Sequence, residues 1–220
     1  MKYFIRKFSL SRWNRYVISN QGVLDFKLNI FSRDLMAASN KLSLWLVEGA
    51  SLEEVEQRAS DFLLTMGLMG EAIDVTDIMF IPETSIADFP LEQSVGDAVT
   101  AVRGLEPFHY NIIDMDMRSL QRFLYVQFDL YRQFETAPRN DELYVKRAPE
   151  RTIYELLEHA YQGGRIDFSK IKPKLQSSLN RKYPHLYPAP VCPIAGKTER
   201  LCEHFNLCDE CSNHGSHSAS

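Results

Sequence analysis

The sequence predicts an α+β protein: a mixed or antiparallel sheet of about five strands in the N-terminal half, helices in the C-terminal half, and a small cysteine-rich tail. Three observations carry this expectation. Apolar residues alternate with polar ones in several short runs before residue 115, the period of a half-buried strand. After residue 116 the apolar spacing changes to that of amphipathic helices. All four cysteines fall between Cys192 and Cys211, leaving the first 191 residues without a thiol.

Taken in order, Lys2 to Leu10 reads as a strand rich in aromatic residues. Val23 to Phe31 alternates strictly, with Leu24, Phe26, Leu28 and Ile30 on one face, after the turn signal Asn20-Gln21-Gly22. Leu42, Leu44 and Leu46 mark a third strand. Ser51-Leu52-Glu53-Glu54 is a capping box, in which the serine hydroxyl and the glutamate three residues on satisfy orphan amides. The helix it opens carries Leu52, Val55, Ala59, Phe62, Leu63 and Met66 on one stripe and is expected to end at Gly67 to Gly70. A fourth strand is expected over Ala72 to Ile81, then a loop to Pro90, a short helix through Val95, Ala98, Val99 and Val102, and a fifth strand over Phe108 to Asp114. Met117 to Phe134 reads as a helix with a wide aromatic face (Phe123, Phe128, Tyr131, Phe134) that could also dock a partner. Ala137 to Pro149 reads as a polar connection, Thr152 to Tyr161 as a helix closed by Gly163-Gly164, and Ser169 to Lys182 as a basic helix started by Pro173. Four prolines between Pro184 and Pro193 place a domain boundary at Tyr183, giving a globular domain over 1–182 and a tail over 183–220.

Composition is that of a globular chain, 45% hydrophobic and 25% charged, and a formal net charge of −4 argues against nucleic-acid binding by the chain as a whole. The charges are segregated. Met1 to Tyr16 holds Lys2, Arg6, Lys7, Arg12 and Arg15 with no acid; Glu48 to Asp97 holds twelve acids and one base; Arg165 to Lys182 holds Arg165, Lys170, Lys172, Lys174, Arg181 and Lys182 against Asp167. Two consequences are open. The basic segments can pack against the acidic middle, or Lys2, Arg6, Arg12, Arg15, Lys170, Lys172, Lys174, Arg181 and Lys182 can contact a nucleic acid. Mixing of charge into both faces of the first strand suggests an edge strand guarded against aggregation. Neither a membrane span of roughly 18 to 20 apolar residues nor a signal peptide is visible, and with the cysteine pattern this points to a cytoplasmic protein.

The sharpest chemical signal is Cys192-x9-Cys202-x5-Cys208-x2-Cys211. A Cys-x2-Cys turn brings two thiolates to the same side, and Cys192 and Cys202 complete a tetrahedral set that suits a structural zinc ion. An iron–sulfur cluster is the alternative cofactor, as is replacement of one thiolate by His204 or His214. Acids at strand ends, Asp74, Asp77, Asp114 and Asp116, are where Mg²⁺-dependent nucleases and phosphoesterases hold metal, although Asp116 also suits a helix N-cap. Gly196-Lys197-Thr198 lacks the upstream glycine of a phosphate-binding loop. Neither a nucleophile elbow nor a dinucleotide fingerprint is present. The expectation drawn from this is a non-catalytic adaptor or accessory subunit of an intracellular assembly, with a protein partner and a structural zinc. A metal-dependent phosphoesterase and a nucleic-acid-binding protein stand as alternatives.

Overall fold

The computed structural model describes residues 1–11, 13, 39–136 and 144–183. The strand expected over Val23 to Phe31 lies outside them. Six antiparallel strands form one sheet: β1 (Lys2–Phe8), β2 (Leu42–Glu48), β3 (Thr76–Pro82), β4 (Leu91–Gln93), β5 (His109–Ile112) and β6 (Val145–Ala148), in the order β4-β5-β2-β1-β3-β6. Among the described residues, α1 (Leu52–Leu68), α2 (Met117–Thr136), α3 (Glu150–Gln162) and α4 (Pro173–Lys182) accompany them. The fold is α+β. Met1–Leu175 make one compact unit; α4 runs past its end, and residues from Gln176 onward belong to a second. The boundary expected at Tyr183 falls at the edge of the described residues.

Helices cover both faces of the sheet. On one, Phe4, Phe8, Leu42, Leu44, Met79, Ile81 and Ile112 meet Phe123, Leu124, Phe128 and Tyr131 of α2 in a continuous core. Phe8, Trp13 and Tyr131 stack within it at centroid distances of 5.0 to 6.4 Å. The aromatic face of α2 is therefore core. Phe123, Phe128 and Tyr131 cannot serve as a docking surface, and of the expected face only Phe134 stays exposed. On the other face α1 packs on β1, β2 and β3, with Trp45 against Phe62 at 5.8 Å. Cover on both sides explains why β3 is buried from Thr76 to Ile81 and reads as a continuous apolar run from Ile78 to Ile81.

The capping box forms: Ser51 Oγ accepts from the Glu54 amide at 3.2 Å, while Glu54 Oε2 accepts from the Ala50 amide at 2.8 Å. The helix ends at Leu68, within the expected Gly67 to Gly70 stretch, with Gly67 as its next-to-last residue. That residue is buried inside α1, where a Cβ would sit 2.8 Å from Ile153 Cγ2, so the missing side chain lets α3 approach closely. Three expectations need correction. Residues 95–102 do not form an α-helix; a single 3₁₀ turn over Val95–Asp97 gives way to extended chain. The polar connection before Pro149 contains β6, and β4 lies at Leu91–Gln93, between the expected loop ending at Pro90 and Val95; both are short and rich in polar residues, which hides them from a periodicity reading. Finally, β1 is not an edge strand. It lies between β2 and β3, and the edges are β4 and β6.

Candidate functional site

The main feature of the Met1–Leu175 unit arises from how β1 leaves β2. Lys2 to Ile5 pair with Glu48 to Trp45 of β2, and from Tyr3 onward the strand also pairs with β3. Beyond Ile5 it pairs, among the described residues, with β3 alone, as far as Phe8↔Asp77. In the same register Arg6 would face Leu44 and Lys7 would face Ser43, but β2 there pairs only with β5. The strands part, and the backbone groups along the gap need other partners. The Arg6 guanidinium supplies one: its Nη1 donates to the Ser43 carbonyl at 2.7 Å, with Arg6 only 9% exposed.

A cavity of about 850 Å³ opens at this parting. Phe8, Trp45 and Met66 form an apolar wall, and Met69 and Val75 stand exposed at its lip. The remaining lining is polar. Lys7 Nζ donates to the Met66 carbonyl at 3.1 Å. Asp77, buried at the start of β3, accepts from Arg147 Nε at 2.8 Å and Nη2 at 3.1 Å, and its Oδ2 also accepts from the Leu10 amide at 2.9 Å. The carboxylate thereby ties the chain leaving β1 to β3 and β6, and it holds the Arg147 guanidinium more firmly protonated than usual. Such a two-pronged pair with a buried carboxylate is geometrically fixed. A polar relay runs outward from Ser43: its Oγ donates to Asn111 Oδ1 at 3.2 Å, and Asn111 Nδ2 reaches Asp97 Oδ2 at 3.4 Å. A hydrogen bond from Ser94 holds the Asp97 carboxyl below its usual range. His109 is buried beside Trp45, ring centroids 4.8 Å apart, with Nδ1 donating to the Ser94 carbonyl at 2.8 Å.

The sequence-derived candidates distribute unevenly over this geometry. Asp74 and Asp77 both line the cavity. Asp116 caps α2, its Oδ1 accepting from the Ser119 amide at 2.7 Å, and that bond lowers its pKa. Asp114 sits in a left-handed turn at φ 55°. Among the described residues no three His, Cys, Asp or Glu side chains group as metal ligands. Lys2 pairs with Glu48 at 3.0 Å and Glu83 at 4.0 Å, Arg165 with Asp61 at 2.6 Å, and Lys174 with Glu71 at 2.8 Å. The basic segments thus meet acids of the Glu48 to Asp97 stretch. Each exposed pair adds little to stability, but together they reduce the positive field a polyanion would need. Lys170 and Lys172 line a separate cavity of about 210 Å³. Arg181 and Lys182 belong to the unit that begins at Gln176, where the Lys182 ammonium lies over the Tyr183 ring at 5.7 Å. Arg12, Arg15 and the metal candidates Cys192, Cys202, Cys208 and Cys211 lie outside the described residues.

Sequence reasoning passed over Arg147, Ser43 and Trp45. The available signal was Asp77 alone in an otherwise apolar strand, since a buried carboxylate requires a cation from somewhere in the fold. No helix among the described residues is long and apolar enough to cross a membrane. No protein family, no curated protein and no solved structure matches the chain.

Proposed function

We propose that this chain is a non-catalytic binding protein, an accessory subunit of a cytoplasmic assembly. Its body recognises a ligand at the parting of β1 and β2, and its tail holds a structural zinc ion. The observation that supports this reading best is the fixing of the cavity's charged groups. Asp77 is engaged by Arg147 and the Leu10 amide, and Arg6 and Lys7 each reach a main-chain carbonyl. Groups immobilised in this way suit recognition rather than proton transfer, which calls for an acid or base free to change its protonation state within reach of a reacting atom. The phosphoesterase alternative draws no support from Asp114 and Asp116, one in a turn and the other used as a helix cap.

For the tail, Cys192, Cys202, Cys208 and Cys211 supply four thiolates, a closed set that leaves no position for a reacting water. Such a site stabilises a segment too small for its own core, because metal binding is coupled to folding. A protein partner docking through this tail fits its local acidity better than nucleic acid does. Elemental analysis of untagged protein, wild type and Cys208→Ser, tests the reading. About one zinc per chain, lost in the variant, is the expected result. Iron with visible absorbance would replace zinc by a cluster, and absence of both would remove the staple.

A further inference from the structure

We infer that the crevice between the end of α1 and the chain over 99–101 docks a segment of a partner protein, one that carries a large apolar side chain flanked by carboxylates. This surface is additional to the cavity at the parting of β1 and β2 and to the tail, and its action needs neither of them.

The crevice follows from how its walls are held. Thr65 of α1 and Thr100 are both buried, and their hydroxyls share a hydrogen bond at 3.0 Å. Thr100 Oγ1 also accepts from the Val102 amide at 3.0 Å. The Asp167 amide donates to the Ala101 carbonyl at 2.8 Å, next to the bridge Val102↔Ile166. The chain here is thus pinned to α1 on one side and to 165–167 on the other. With Thr100 turned inward, its neighbour Val99 stands 64% exposed, and Met69, just past the end of α1, is 47% exposed. Both line a cavity of about 210 Å³ that has Leu68 and Ala101 as buried floor. Apolar side chains left in water side by side on fixed walls mark a contact surface.

Two features say what covers it. Ile171 is extended and buried, so Lys170 and Lys172 emerge on the same side, and both line the crevice. The acids whose fields reach them are already engaged: Asp167 accepts from the Ser169 amide at 3.0 Å, and Glu71 accepts from Lys174 at 2.8 Å. Ammonium heads beside an apolar hollow complement carboxylates on either side of an apolar anchor. The second feature is size. A volume of about 210 Å³ lies below the roughly 300 Å³ at which small-molecule pockets begin, yet it receives one large side chain, the usual form of an interface hot spot. A hollow also favours an inserted protein side chain over a lipid surface, which takes up protruding apolar groups. Because the walls are set in advance, the ordering cost of binding falls on the partner segment.

Selection of a phage-displayed library of random dodecapeptides against the full chain tests this. Enriched peptides are expected to share one large apolar residue with Asp or Glu on either side. Fluorescence polarisation of such a peptide should show binding weakened more than tenfold by Val99→Glu and about tenfold by Lys172→Glu, with a flatter salt dependence in the second. Both positions are exposed, so melting curves of the two variants should match wild type. Cys208→Ser should leave the affinity unchanged, and loss of binding there would move docking to the tail and overturn the crevice. No enrichment, enrichment of peptides without acids, or affinity indifferent to either crevice substitution would overturn it as well. Phosphatidylglycerol vesicles should not sediment with the chain; sedimentation abolished by Val99→Glu would replace the protein partner by a membrane. A dimer in analytical ultracentrifugation that Val99→Glu disperses would replace it by a second copy.

Discussion

Strand β1 contains two halves that differ in almost every respect except secondary structure. From Tyr3 to Ile5 it has a neighbour on each side and buries Phe4 and Ile5 almost completely. Among the described residues, Arg6 to Phe8 pair with β3 alone, and a charged cavity lies where β2 would continue. One half uses backbone pairing and apolar contact to hold its place. The other uses side chains in their stead: a guanidinium on a carbonyl and a carboxylate on an amide. A single strand can thus serve as core at one end and as a binding surface at the other, provided the lost ladder bonds are replaced.

The contrast is sharpest in the response to truncation. Ile5 is fully buried between Trp45 and Phe80 in the paired register, and Ile5→Ala should cost about 3 kcal/mol in chemical denaturation, by lost burial and a residual cavity. Lys7→Ala, two positions on and exposed, should stay within about 0.5 kcal/mol. Equal costs for the two would erase the distinction between the halves. A smaller effect is expected at the device that closes the open half. Asp77→Ala removes the Arg147 pair and leaves the Leu10 amide without its acceptor, for a loss of about 2 kcal/mol. Hydrogen exchange should rise at Leu10 in that variant, and no local rise there would mean that the carboxylate does not anchor the chain leaving β1. The smallest effect belongs to the paired end. A hydrogen bond to Glu48 raises the Lys2 pKa above 10.5. Because the folded value is the higher one, its contribution is complete below the unfolded lysine value and is lost as pH rises through the folded value. Melting curves from pH 9 to 11.5 should show a slightly steeper alkaline decline in wild type than in Lys2→Met, and parallel curves would mean that the pair adds nothing.

What could be read from the chain follows the range of the interactions. Helix α1 was legible to its first residue because its capping box is local, closed by Ser51 and Glu54. The alternation at Leu42, Leu44 and Leu46 marked β2, although Trp45 and Val47 on the face that α1 covers are buried as well. The position of β1 was misjudged for the opposite reason. Its cations suggest an edge, yet Lys2 reaches beyond its own strand to Glu48 and Glu83, Lys7 reaches the end of α1, and Arg6 bridges a gap that exists only once β2 has turned aside. Gly67 to Gly70 reads as a helix stop and α1 does end at Leu68, but that Gly67 also makes room for Ile153, 86 positions later, has no local signal. The cavity is made of the same long-range events. Asp77 and Arg147 are 70 residues apart, so no linear motif announces them.

The short outer strands have a consequence for the sheet as a growing object. A neighbouring chain adding a strand at β4 would find three residues to pair with, one of them Glu92, already engaged by Lys41 at 3.3 Å. At β6 it would find four, with Lys146 and Arg147 committed to Glu56 and Asp77. Templated growth depends on long, flat, uncharged rims. A six-stranded sheet with such abrupt, ion-paired margins terminates itself, so the gap at its centre can stay open without the rims recruiting further copies.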